Sequence, residues 1–371
     1  MKNVFIKLIN FFSSYALAAT LLIALMIITV LGTLEQVQYG LYEVQKKYFE
    51  SFFFFYEITP QIKIILPGIY LLLILFSVNL LLGGIFRLPL NKKNAGVFIT
   101  HLGILFILVS GFITFQFGQY GNMALLEGES SNTFSSYNEW ELSVLDVQTN
   151  LEYIIYEEDM KDIPQKGLYQ FFHLDLPFEI HVLNYYRNAE LSTQAKISIL
   201  EELPLEMENE KNIAGCSIVI MDKFGKKILE DVLLGYSKDS ISWNEGDKSY
   251  RMELHKKTWY LPFIIQLKKF THEKHPNTQI AKTFSSDVIK IENGIERNIR
   301  ISMNQPLRHL GYTFYQASYN DQLPQGVLQS ILAVSKNPAD QYPKYGCFIV
   351  CLGLLVRFSQ LLVVYLKRRG K

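Results

Sequence analysis

Four stretches free or nearly free of formal charge, each long enough to cross a bilayer as a helix, constrain this chain more than any other feature. Lys7 and Glu35 bracket the first, Lys63 and Arg87 the second, and Lys93 and Glu127 the third. About 20 apolar residues in helical form cross the hydrocarbon, so spans are expected at 15–34, 64–86 and 96–117. A fourth is expected from Tyr345 to just before Lys367, its apolar run broken only by Arg357. The first stretch lacks the short apolar core and small-residue cleavage site of a secretory signal, so it reads as a retained anchor.

The flanking charges orient these spans. Lys2 and Lys7 precede the first, Arg87, Lys92 and Lys93 occupy the short link between second and third, and Lys367, Arg368, Arg369 and Lys371 follow the fourth. Basic flanks stay on the cytoplasmic side, so both termini are expected in the cytoplasm of a multi-pass protein of the cytoplasmic (inner) membrane. The segment 118–344 then lies outside it, with Glu127, Glu129, Glu139 and Glu141 near its start. Three parts follow: a membrane domain at 1–117, an extracytoplasmic domain at 118–344, and a final span with a basic tail at 345–371.

Within 118–344, runs rich in β-branched and aromatic residues recur at Trp140 to Val147, Phe178 to Tyr186, Cys216 to Met221, Tyr250 to Leu254 and Trp259 to Leu267. Such runs read as strands. Asn293-Gly294, between Val288 to Glu292 and Arg297 to Met303, marks a tight hairpin. Gly311 to Tyr319 reads as another strand, and the acidic run from Glu201 to Glu210, broken by Pro204, as a solvated loop. The expected fold class is integral membrane: four transmembrane α-helices plus a large all-β extracytoplasmic domain.

Several functions are excluded by composition. A net charge of +1 on 371 residues argues against a nucleic-acid partner, which requires a marked excess of Lys and Arg. Cys216, Cys347 and Cys351 form no CxxC pair, so neither a zinc ribbon nor a dithiol redox centre is supported, and no CxxCH is present for haem attachment to this chain itself. Cys347 and Cys351, four apart in the last span, read as packing residues on one helix face. Four spans without paired broken helices also disfavour a secondary transporter.

His101 is the one histidine in a predicted span. An ionisable group at that depth faces a partner, a cavity or a cofactor. It either hydrogen-bonds a neighbouring helix or, as a neutral imidazole, ligates a haem iron. At about 100° per residue, Gly96, Gly103 and Gly111 fall on one small-residue face suited to close helix packing, and His101 points away from it. Arg357 is either a snorkelling or packing residue or a guanidinium able to hold a carboxylate. The two lie at similar depth and are expected to be able to share a site.

Leu31-Gly32-Thr33-Leu34, Gly40-Leu41-Tyr42-Glu43 and the run Lys46 to Phe53 after the first span, Thr100-His101-Leu102-Gly103 opening the third, Glu127-Gly128-Glu129, and Leu310 to Tyr319 before the fourth form an ordered set of motifs. In these motifs the chain resembles the ResB family of cytochrome c assembly proteins. The resemblance covers both ends of the chain in order, while the middle, roughly Asn150 to Ile289, matches only in size and β character. It implies a subunit of the system II cytochrome c maturation machinery that moves haem across the membrane and promotes its attachment to apocytochrome c CxxCH. The third-span histidine, His101 here, would be an axial haem ligand, and Arg357 a candidate for a haem propionate. With only Trp140, Trp243 and Trp259, the chain looks like the ResB half alone. A ResC/CcsA-type membrane protein is then a required partner, and a separate thiol-reducing protein would act on the client cysteines. His173, His181, His255, His272, His275 and His309 fall in the outer domain and are expected to be mainly structural. The competing reading is a sensing or structural anchor that binds no haem.

Overall fold

The structure is a computed structural model that describes residues 2–59, 61–156, 169–171, 176–194, 197–235, 240–274, 281–320 and 328–369. It divides into a helical unit, Met1–Gly118 with Asn337–Lys371, and a β unit, Gln119–Lys336. Among the described residues, four helices are long and apolar enough to cross a membrane.

A short helix, α1 (Lys2–Phe12), precedes the first long one, α2 (Tyr15–Val44). Ser14 caps α2 by accepting a hydrogen bond from Leu17 N at 3.2 Å. The corner between α1 and α2 is gripped from outside: Asn79 Nδ2 donates to Phe12 O (2.7 Å) and Ser14 O (3.0 Å), and Arg87 Nη1 donates to Ser13 Oγ (2.9 Å).

Gly40, at φ 79°, breaks α2 in a conformation that L side chains rarely adopt. The chain then doubles back through a π-helical turn, Gln45–Phe49, which lays Val44, Tyr48 and Phe49 against Gly32. Lys47 closes the fold-back with an ion pair to Glu35 at 2.8 Å, and Tyr48 is fully buried. The motif around Gly32, Gly40 and Lys47 is therefore one structural device, a re-entrant hook on the end of α2.

A hairpin follows, β1 (Phe53–Thr59) with β2 (Ile62–Pro67), and only then the second membrane helix. Here the structure corrects the expected span at 64–86: Ile64 to Pro67 belong to β2, and α3 (Ile69–Asn79) starts after Gly68, continuing as a π-helical stretch, Leu80–Phe86. Hydropathy is blind to this boundary because strand and helix are equally apolar. Gly68 is required because a Cβ there would run into Ser51 O.

The third helix, α4 (Ala95–Phe117), and the last, α5 (Tyr342–Arg369), pack antiparallel. Glycines make the approach close. A Cβ on Gly96 would lie 2.6 Å from Arg357 N, one on Gly103 2.8 Å from Val350 Cγ2, and Gly353 and Gly346 meet Thr100 and Ile107. Gly111, expected on the same face, touches nothing. Cys347 and Cys351 are exposed on α5, contrary to the packing role expected of them, because Gly346, Val350 and Gly353 occupy the face turned toward α4.

The β unit is built on a ten-stranded antiparallel sheet. Its spine is one strand of 27 residues, Lys248–Lys274, which pairs first with Ser130–Asp146 and then also with Ala281–Glu292. A four-stranded sheet containing Phe178–Tyr186 and Gly215–Asp222 covers the first half of that spine around Trp140, Phe178 and Ile218, and a second core gathers Phe134, Ile265 and Phe314 along the other half. Asn293 (φ 50°) and Gly294 (φ 77°) form the expected hairpin turn. Leu310 and Gly311 form another, so the strand expected from Gly311 starts at Tyr312. Glu201 and Glu202 end a strand, Ile197–Glu202, and Glu210 lies in a short 3-10 turn, Asn209–Lys211, leaving only Glu206 and Glu208 of the acidic run as loop.

Candidate functional site

His101 sits in the second turn of α4, about 9 Å along the helix from its start at the 1.5 Å rise. Its Nδ1 lies 2.9 Å from the carbonyl oxygen of Gly84. A carbonyl oxygen only accepts, so in the neutral ring Nδ1 carries the proton and Nε2 keeps the lone pair. No hydrogen bond to Nε2 occurs among the described residues, and the ring is half-buried.

The partner carbonyl has a clear physical origin. Gly84 lies in the π-helical stretch that ends at Phe86, so its oxygen belongs to a helix C-terminus, where carbonyls lose their intrahelical donors. Pro89, where a later N–H might have served, has none. Glycine is also needed for room, since a Cβ at position 84 would lie 2.7 Å from His101 Nδ1. Fixing one ring nitrogen on a carbonyl is the usual way a protein aims the other at a metal. Nε2 of His101 is thereby left with a lone pair of the kind that can bind a metal.

Gly84 was not singled out by the sequence. The available signal was the Gly83-Gly84 pair close to a helix end, which marks close backbone approach. Gly83 serves a different contact, against Ser13 O.

Arg357 is not brought to His101. It lies on the flank of α4 that carries Gly96, while His101 faces Gly84 some 140° around the helix by the ~100° per residue rule. The Arg357 guanidinium donates from Nη1 to Lys93 O at 3.0 Å, and Gln360 Nε2 donates to Lys92 O at 2.6 Å. Both anchor the basic link before α4 onto α5. The two side chains thus have separate backbone partners, Gly84 O and Lys93 O.

The described histidines of the β unit make various contacts, and His181 Nδ1 is buried without a hydrogen-bond partner. His181 Nε2 is 3.3 Å from Glu179, and the ring of His272 packs on Phe270 and Tyr319. His309 Nε2 is 2.8 Å from Glu292 Oε2 and 2.9 Å from Lys290 Nζ. His255 borders a cleft of about 580 Å³ together with Glu141 and Glu152. Its Nδ1 meets Lys256 O and its Nε2 meets Ser143 Oγ, both at 3.0 Å, so neither ring nitrogen is left for iron. Burial pushes the Glu141 carboxyl up, with His255 opposing the shift. Cys216 is buried and its thiol is pushed up to about 12 by burial, which makes it unreactive. His173 and His275 lie outside the described residues.

The ResB-like family matches residues 228–333, from the strand Lys227–Leu234 into Gln329–Lys336. Over that segment the chain is similar to the ResB-like family. Protein NrfI of Wolinella succinogenes is 24% identical over 281 residues, which is 74% of this chain and 28% of NrfI, so the chain spans little more than a quarter of that relative's length. The matched family segment includes the Lys290, Glu292 and His309 network and excludes His101.

Proposed function

We propose that this chain is a membrane subunit of the cytochrome c maturation machinery of the system II type, and that it passes haem across the membrane for attachment to the CxxCH thiols of apocytochrome c. The observation that carries the reading is His101: an intramembrane imidazole held at Nδ1 by Gly84 O, with Nε2 left as a ligand. An unpaired ring nitrogen at that depth costs free energy unless it meets a partner, and haem iron is a partner that matches its chemistry. Haem is the cargo here, bound without a covalent link. Its second axial ligand would come from a ResC/CcsA-type membrane protein, because the other described histidines belong to the β unit and not to a predicted span.

In this reading the basic links place both termini in the cytoplasm and the β unit outside, where it meets the apocytochrome. Thiol reduction of the client belongs to a separate protein. Arg357 enters as an independent proposal: its guanidinium N–H groups beyond the one given to Lys93 O suit a propionate carboxylate. The deciding experiment is a reduced pyridine haemochrome spectrum of the chain purified with its ResC-type partner, comparing wild type with His101→Ala and Arg357→Ala. Loss of haem in His101→Ala at normal membrane yield is the expected result. Equal haem in wild type and His101→Ala would leave the reading of a structural anchor that binds no haem.

A further inference from the structure

The β1–β2 hairpin has two unlike faces. Phe54, Tyr56 and Leu66 pack inward on Tyr48 and the ends of the membrane helices, with the Phe54 and Tyr48 ring centroids 4.5 Å apart. Phe53, Phe55 and Ile65 point the other way and are 63%, 61% and 64% exposed. On that same outer face, one step further from the root, Glu57 and Lys63 form a cross-strand ion pair. An apolar root thus gives way to a charged outer half.

Contacts fix how deep the root lies. Tyr48 touches Gly32, inside the uncharged run of α2, and Phe54 packs on Tyr48 with its ring tilted by 52°, so Phe53 and Phe55 flank a residue level with the last turns of the first span. The Glu35 and Lys47 pair marks where charge begins on α2, and Lys47 Nζ lies 6.0 Å from the centre of the Tyr56 ring. The boundary between apolar and charged structure therefore passes the hairpin near Tyr56, between its apolar root and its Glu57–Lys63 pair. The helix of the second span points the same way. Ile69–Phe86 has 18 residues, about 27 Å at 1.5 Å each, short of the ~30 Å hydrocarbon core. The last apolar residues of β2 lie where the rest of that crossing is needed.

We propose that this hairpin is a membrane-interface element: its Phe53, Phe55 and Ile65 face rests against lipid at the level of the upper acyl chains and headgroups. A two-stranded ribbon leaves unpaired N–H and C=O groups along both edges, and these cannot be sunk in hydrocarbon. The interface, where water and headgroups reach them and where aromatic side chains are favoured, accommodates both the edges and the apolar face. Continuity with the lipid-facing surfaces of α2 and α3, to which the hairpin is joined at both ends, selects lipid as the occupant.

The test uses the full-length chain in phosphatidylcholine nanodiscs. Single nitroxide labels are placed through Phe53→Cys, Phe55→Cys, Glu57→Cys, Gln61→Cys and Ile65→Cys, with Cys347 and Cys351 changed to Ser. Collision rates with oxygen and with a water-soluble nickel chelate are compared with a water reference at Phe224, which is 95% exposed, and a lipid reference at Val363 on α5. Oxygen collisions exceeding chelate collisions at 53, 55 and 65, with the order reversed at 57 and 61, are expected. Chelate dominance at 53, 55 and 65, or protection from both probes, would overturn the proposal by placing that face in water or under protein. Because a label can disturb the ribbon, unlabelled wild type is also photolysed with a phosphatidylcholine bearing a carbene precursor near the glycerol. Adducts within peptide 51–68 are expected, and their absence would count against lipid contact.

Discussion

A single carbonyl oxygen decides what His101 can do. Gly84 O holds the proton-bearing nitrogen, and the missing Cβ lets the ring approach. Gly84→Ala should therefore weaken haem retention by roughly 10–100-fold, the usual effect of losing an outer partner of a metal-ligating histidine, while the helix itself gains propensity. Nitrogen-15 NMR of the imidazole in haem-free protein checks the cause independently: wild type should show the proton on Nδ1, and the variant a mixture of tautomers. His101 itself was legible in the sequence because a histidine in an uncharged run stands out. Gly84 was not, because a carbonyl acceptor has no residue type, and only its geometry at the end of a π-helical stretch gives it a role. The same limit applies to Arg357, whose charge drew attention while its partner, Lys93 O, is again backbone.

Among the elements, those with a period were readable and those with a fold-back were not. The hairpin at Asn293-Gly294 follows from turn chemistry, and the spans follow from length. The late start of α3 is written in apolar residues, which hydropathy assigns to helix by default. The hook that carries Tyr48 back to Gly32 and the β1–β2 hairpin instead mix apolar residues with charges such as Glu35, Lys47, Glu57 and Lys63 in no period that names an element. The hairpin Ala281–Glu292 with Ile295–Ser302 also carries a titratable device. Lys290, 5% exposed at its side chain, donates to Glu292 and holds that carboxyl below the usual glutamate range, with His309 adding to the effect. A depressed folded-state pKa means that the ionised form stabilises the fold. That contribution is complete above about 4.3, the ordinary glutamate value, and is lost as pH falls through the lower folded-state value. Glu292→Gln should remove this part of the acid dependence: thermal midpoints of wild type and variant should differ at pH 7 and converge as the pH drops through that window.

At the scale of the whole molecule, the β unit is an insertion between two helices packed against each other through Gly96, Gly103, Gly346 and Gly353. Its first and last strands, Gln119–Leu126 and Gln329–Lys336, pair antiparallel from end to end. Gly353→Leu should disturb the helix pair most directly, because Thr100 and Gly96 O already fill the space that the side chain would need. Overpacking of this kind costs roughly 1–3 kcal/mol, so a lower midpoint for loss of helical signal in detergent is expected, with the β-unit signal unchanged. The insertion also has a consequence in time. At about 5–20 residues per second, the ribosome needs roughly 11–45 seconds to make everything between α4 and α5. Throughout that interval the glycine face of α4 waits in the bilayer without its mate. A newborn chain must therefore be shielded there, by lipid or by the insertion machinery, until its last helix arrives.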